Sequence, residues 1–259
     1  MISIIQTNDE LVVYRGGDFV ISKHIHIHQP TLDEIAKYGA DKYFSMVNML
    51  VTTPQALKAQ LWYEMNIDYT TISPYELFYT LIHMMFPKDS TNILFGKLDF
   101  TEFKPYKNEN GDIVLKQEYE YVENGENLKD EICFDEYTYG LMVDYLCSSY
   151  DIQRDMKIPM NNTTKMILIE DAQEELIRNK DKKYHFPLKN LISSMVNSEG
   201  FKYNHSDVWD IKINVFMDSV KRIMKIKNAM LLLQSGYSGF GINLKEVNDK
   251  QIDWLGELS

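Results

Sequence analysis

Three histidines alternate with apolar residues in Lys23-His24-Ile25-His26-Ile27-His28. A strand sends successive side chains to opposite faces, so His24, His26 and His28 share one face, about 7 Å apart per step. Two or three imidazoles on one face can hold zinc, nickel or copper. A complete site also needs a further ligand and outer groups that fix the ring tautomers. Gln29-Pro30-Thr31 supplies no strong ligand, and no His-x-x-x-His or cysteine pair stands nearby. The competing reading is a solvated strand face, or histidines bonded to neighbouring loops. A metal-dependent enzyme built on His24, His26 and His28 is therefore the weakest reading, and no metal and no cofactor are expected.

The remaining chemical signals are incomplete. Asp99 with Glu102, and the run Glu118, Glu120, Glu123, offer carboxylates. Acid–base work needs two of them in unequal environments at a fixed separation, whereas alternating Glu reads as a solvated strand face. The run Ser235-Gly236-Tyr237-Ser238-Gly239-Phe240-Gly241 is glycine-rich. A phosphate loop follows a strand and opens a helix. This run instead follows the longest expected helix and lacks the Lys-Ser/Thr end, so Gly236 is expected as a left-handed helix cap. Lys221, Arg222, Lys225 and Lys227 form a basic patch on that helix. It is expected to meet an acidic surface of this chain or of a partner, or to solvate the polar face. No Ser-His-Asp or Cys-His arrangement can be assembled. The chain reads as a non-enzyme.

The elements that carry these residues are legible in part. Leu11–Tyr14 and Asp18–Ile21 flank Arg15-Gly16-Gly17, a hairpin signal. Thr31-Leu-Asp-Glu34 and Ser73-Pro-Tyr-Glu76 are capping boxes. The first opens a helix with the stripe Leu32, Ile35, Ala36, Tyr43, Val47, Leu50, interrupted at Gly39. The second opens a strongly apolar helix through Phe86. Thr53-Pro54 should open a helix between them. Residues 93–100 read as a strand, and 103–107 and 113–121 as a hairpin around Asn108-Glu-Asn-Gly-Asp112. The acidic residues 123–131 read as a solvated loop. Helices are then expected from Asp135 to Tyr150, from Thr163 or Thr164 to Asn179, from Pro187 to Val196, and from Ser206 to Gly236. In the last, Trp209, Ile213, Phe216, Val220, Ile223 and Met230 form the apolar stripe. The fold class is α+β, predominantly helical. A mixed strand/helix part with a central β-hairpin occupies 1–130, and a helical part with one long helix and a C-terminal tail occupies 131–259. No linker separates them, so the two should pack together.

Composition bounds the partners. The 259 residues carry a net charge of −11, the wrong sign for a general nucleic-acid binder or for anionic membranes. No run of about 18 apolar residues exists to span a bilayer. The start, MISIIQTNDELVV, is a poor signal peptide. Cys133 and Cys147 make no disulfide framework and read as free thiols in a reducing cytoplasm. The 14 Met and 17 Tyr supply adaptable apolar contacts, for the core or for a partner. Homo-oligomerisation is left open. The last residues, Ile252-Asp-Trp254-Leu255-Gly-Glu-Leu258, are too apolar for a tail left in water. Trp254, Leu255 and Leu258 should therefore dock on the helical half or anchor a partner.

Several segments together resemble a known group. They are His28-Gln-Pro-Thr-Leu-Asp-Glu-Ile35 with Lys42-Tyr-Phe-Ser-Met46, Ile67-Asp-Tyr69 leading to Tyr75-Glu-Leu-Phe78, residues 189–201, and 215–258 including LLLQSGYSGFGINLK and WLGEL. Over most of the chain the sequence resembles proteins of the tail-morphogenesis region of phages and prophages of Gram-positive bacteria, akin to tail assembly chaperones. That resemblance implies a non-enzymatic chaperone or scaffold in the bacterial host cytoplasm, which holds the helical tape-measure protein before tail-tube subunits polymerise around it. The alternative it leaves is a permanent component of the tail or baseplate.

Overall fold

The computed structural model describes residues 10–123, 126–238 and 241–258. The first nine residues, and Gly239 and Phe240 of the glycine-rich run, lie outside them, so the reading of the start as a poor signal peptide has no structural counterpart. The described chain is a mixed α/β N-terminal part followed by a helical part.

The start is helical: α1 spans Glu10–Tyr14, where a strand was expected. Arg15, Gly16 and Gly17 donate back to Leu11, Val13 and Val12 carbonyls and close the helix, with Gly16 at φ 91. The hairpin lies one segment later, pairing β1 (Phe19–Val20) with β2 (His26–Ile27). Both capping boxes form as read. Glu34 N–H donates to Thr31 Oγ1 at 3.2 Å, and Thr31 N–H to Glu34 Oε2 at 2.6 Å. These open α2 (Leu32–Tyr38), with α3 (Ala40–Leu50) following across Gly39 at φ 101. Ser73 and Glu76 make the same exchange at the head of α5 (Pro74–Met85). Between them, Thr53-Pro54 forms a turn, and the helix α4 begins only at Lys58 and runs to Tyr63.

Residues 93–100 are not a strand. Their apolar residues lack alternation, and the chain instead forms α6 (Asn92–Phe95), stopped by Gly96 at φ 61. A 3-10 turn follows over Phe100–Glu102, capped by Asp99 Oδ1 on Thr101 N–H at 2.9 Å. The sheet then runs β3 (Lys104–Lys107), β4 (Ile113–Glu123) and β5 (Glu126–Phe134), all antiparallel in the order β3-β4-β5. The acidic segment read as a loop is thus largely strand. Ile132, Phe134 and Leu115 are buried at the inner end of the ribbon and fix its register. Lys116 Nζ meets Glu131 Oε1 at 2.8 Å across the strands, which offsets part of the charge.

Helix α7 (Glu136–Tyr150) starts at the expected Asp135 cap. Helix α8 (Asn162–Asn179) starts earlier than expected, because Asn161 Oδ1 takes the Thr164 N–H at 2.8 Å. Helix α9 spans Leu188–Val196. Ser206 opens only a 3-10 turn over Asp207–Asp210, which holds Trp209; the long helix α10 begins at Ile213 and ends at Tyr237. A 3-10 turn over Leu244–Glu246 and α11 (Asp249–Ile252) complete the described chain.

The main core runs from Ile21 to Phe216 and draws on both sides of position 130, which itself lies inside β5. Its centre is aromatic. Phe78, Phe86, Phe95, Phe103 and Phe134 surround Phe100, whose ring is 1 % exposed. Tyr43 and Tyr150 share a hydrogen bond, and burial pushes both phenols above their ordinary pKa, so both stay protonated. A second cluster of Leu61, Tyr69, Leu77, Leu81 and Ile169 seats α8 on α4, pinned by Lys165 Nζ on Asp68 Oδ2 at 2.6 Å. The two ends of the core are stitched by an antiparallel bridge between Thr31 and Lys212. There Leu32 N–H donates to the Ile211 carbonyl, and Ile213 N–H to the Pro30 carbonyl.

Candidate functional site

Of the strand expected over 23–28, only His26–Ile27 pairs as strand, and His24 stands in the bend at 21–24 before it. Ile25 and Ile27 are fully buried, while His24, His26 and His28 point away from the core around an open depression of about 410 Å³. The three rings do not converge on one point. His24 Nε2 lies 2.8 Å from Asp130 Oδ2, which also meets Lys23 Nζ at 3.2 Å. His28 Nδ1 lies 2.9 Å from Asp18 Oδ1, and its Nε2 lies 3.7 Å from Glu34 Oε1. His26 Nε2 lies 3.2 Å from the Lys23 carbonyl. The hydrogen bonds from His24, the Glu131 backbone and Lys23 hold the Asp130 carboxyl down at about 2. This face ties β5 and the Asp18 loop to the histidine strand.

Among the described residues, no group of three His, Cys, Asp or Glu side chains is placed to hold a metal. Purified protein is expected to contain no stoichiometric zinc, nickel or copper by elemental analysis. One zinc per chain, lost to a chelator together with the fold, would overturn that expectation. Of the carboxylate candidates, Asp99 caps its own turn and Glu118 stands opposite Glu131 in the ribbon, while the side chains of Glu120 and Glu123 lie outside the described residues.

The residues that do come together lie on α10. Its first turns carry Ile213 and Phe216, fully buried, with Val220 and Ile223 partly buried against the core; Ala229 is buried further along, on another side of the helix. Met230 was expected on this stripe but faces outward, 56 % exposed. Beyond Ile223 the helix leaves the main core, and of its later turns only Ala229 is buried among the described residues. Met224 and Leu231 are likewise more than half exposed on these later turns. Gly236 is not a cap: the helix continues to Tyr237, with Ser238 as the cap residue in right-handed geometry. Its glycine identity has another cause. A Cβ there would overlap the Leu244 side chain, which lies directly on the helix at that point.

Beyond the helix the chain folds back along it. Arg222 Nη1 donates to the carbonyls of Trp254 and Gly256, both at 2.8 Å, and Lys225 Nζ to that of Glu257 at 2.5 Å. Lys221 Nζ pairs with Asp151 at 3.2 Å. The basic patch therefore meets this chain's own main-chain carbonyls, and Asp151 besides. Residues 254–258 dock through their backbone: Leu258 is partly buried, but Trp254 is 48 % exposed and Leu255 73 %. Space is left on both flanks of this segment. One cleft of about 480 Å³ is lined by Ser149, Asn214, Asp218 and Leu255. The other, about 920 Å³, is lined by Met224, Leu231, Leu232, Ile242 and Leu258. The basic patch was readable in sequence. Its acceptors were not, because a main-chain carbonyl carries no residue signature.

Residues 179–258 match the family described as the YomV second domain, YomV being a Bacillus prophage protein. No curated protein and no solved structure matches the chain. The matched stretch starts in the last turn of α8 and takes in α9, α10 and the folded-back segment, so the part of the chain that carries Met224, Met230 and the basic patch is similar to a phage-related domain.

Proposed function

We propose that the chain is a non-enzymatic phage assembly protein that acts in the host cytoplasm as a chaperone or scaffold for the tape-measure protein during tail morphogenesis. The observation that carries this reading is the later half of α10. Met224, Met230 and Leu231 are each more than half exposed on a helix whose first turns are locked into the core. Unbranched, polarizable Met side chains adapt to varied apolar surfaces. A long tape-measure helix presents such a surface at every few turns. Further exposed apolar residues, Ile158, Met160 and Ile177, extend the supply. The net charge of −11 favours keeping such a complex soluble. No helix among the described residues is long and apolar enough to cross a membrane.

The test is a comparison of infected or induced cell lysates with purified particles, by quantitative mass spectrometry. A chaperone is expected in lysates and absent from particles, and its deletion should leave heads without tails. A fixed copy number in finished particles would replace this reading with that of a permanent tail or baseplate component.

A further inference from the structure

We propose that the two clefts beside residues 254–258 are the seat of the chain's own residues 1–9, which lie outside the described residues. The inference does not rest on the assembly reading above.

Four observations carry it. The first is where the chain comes in. Glu10, the first described residue, lines the smaller cleft with Ser148, Ser149, Asn214 and Asp218. Helix α1 is fixed there, because the Asn214 side-chain amide donates to the Val13 carbonyl at 3.2 Å and the Tyr14 hydroxyl to Asp218 Oδ2 at 3.4 Å. The peptide bond to Glu10 therefore delivers Asp9 to this cleft. The second is the order of polarity. Positions 1–5 read Met-Ile-Ser-Ile-Ile, and positions 6–9 Gln-Thr-Asn-Asp. The cleft at Glu10 is polar and includes Lys221 and Arg222, cations that suit Asp9. The larger cleft, further along α10, is mainly apolar, with Met224, Leu231, Leu232 and Ile242. Lys221, Gly256, Glu257 and Leu258 border both. The residues nearest Glu10 thus meet polar groups. Those furthest from it meet apolar ones, and contact there takes aliphatic surface out of water on both sides.

The third observation is reach. Asp218 and Leu231 stand on one helix, about 20 Å apart at 1.5 Å per residue. Positions 5 to 1 can extend roughly 17–30 Å from Glu10, which spans that distance. The fourth is an unsatisfied acceptor. Asn214 Oδ1 is buried with no partner among the described residues, and its side chain borders the smaller cleft. Such groups are almost always paired, and a main-chain N–H from positions 6–9 supplies the missing donor.

Two methionines make the test internal. Met224 and Met230 are 59 % and 56 % exposed, yet Met224 lines the larger cleft and Met230 lines neither. The full chain is treated with hydrogen peroxide and its peptides are read by mass spectrometry. Met224 is expected to form sulfoxide roughly threefold more slowly than Met230. In the double variant Ile4→Asp, Ile5→Asp the two rates should become equal, while the amides of α5 and α7 keep their protection from hydrogen exchange. Equal rates in the wild-type chain would overturn the proposal. So would a slow Met224 that the double variant leaves slow. A cross-link checks the contact without that variant. In a chain carrying Cys133→Ser and Cys147→Ser, the pair Ile4→Cys and Leu231→Cys should close within one chain on mild oxidation. The pair Ile4→Cys and Ile167→Cys, on the exposed side of α8, should not. No cross-link, equal cross-linking of both pairs, or a bond between two chains would each refute the seat. Neither readout involves a phage partner, so their failure is distinct from failure of the assembly role.

Discussion

Replacing Phe100 with alanine is expected to destabilise the protein by about 3–5 kcal/mol, the range for deleting a buried aromatic ring, and to lower its melting temperature by roughly 10 °C. The ring is 1 % exposed and lies within 5.0–6.2 Å, centroid to centroid, of Phe78, Phe86, Phe95, Phe103 and Phe134. These neighbours come from α5, its C-terminal cap, α6, the residue that follows the 3-10 turn and the end of β5. A cavity at Phe100 therefore has walls on several elements, and no single helix shift can collapse it. Edge-to-face geometry, as with Phe78 at 89°, adds a share beyond area burial. Chemical denaturation of the variant checks this. A loss under about 1 kcal/mol would mean that the aromatic cluster repacks freely, contrary to its interlocked geometry.

Phe216→Ala should cost a similar amount, about 3–5 kcal/mol, while Lys225→Ala, three turns short of the helix end, should fall within about 0.5 kcal/mol. The two residues share α10 but lie in opposite environments. Phe216 is 0 % exposed, with its ring edge-on to Phe201 at 6.3 Å. Lys225 carries an ammonium near the surface that donates to the Glu257 carbonyl. Equal shifts of the denaturation midpoint in the two variants would show that the buried side of α10 has been misassigned.

How far these features were legible in sequence follows from the range of the interactions that set them. The boxes at Thr31 and Ser73 need only residues three apart, and both formed as read. So did the turn at Asn108–Asp112, where the Asn108 side chain accepts from the Asp112 N–H at 2.8 Å and Gly111 takes φ 92. Segments decided by tertiary partners were not legible. Residues 126–134 carry too much charge to read as strand until Ile132 and Phe134 are placed in the core. Residues 93–100 are apolar without a clear period, and sequence alone does not choose helix or strand for such a run.

The candidate site divides in the same way. The alternation of His24, His26 and His28 was visible, but Asp130, the carboxylate that engages His24, lies 106 residues away. Gly236 shows a different difficulty. A glycine after an apolar helix has two meanings, a left-handed cap or a place where another side chain comes close, and only the position of Leu244 decides between them.

The bridge between Thr31 and Lys212 has a consequence for how the chain reaches its native state. Pro30 and Leu32 receive their main-chain partners only from Ile213 and Ile211. At ribosomal speeds those partners follow after about ten seconds or more of further synthesis. Until then, the nascent N-terminal part lacks one wall of its core and leaves apolar surface uncovered. Closing so large a loop is entropically late and belongs with slow, non-local folding. The stretch with the phage-related likeness is thus also the stretch whose arrival completes the core begun nearly two hundred residues earlier, and the unit of kinship and the unit of folding do not coincide.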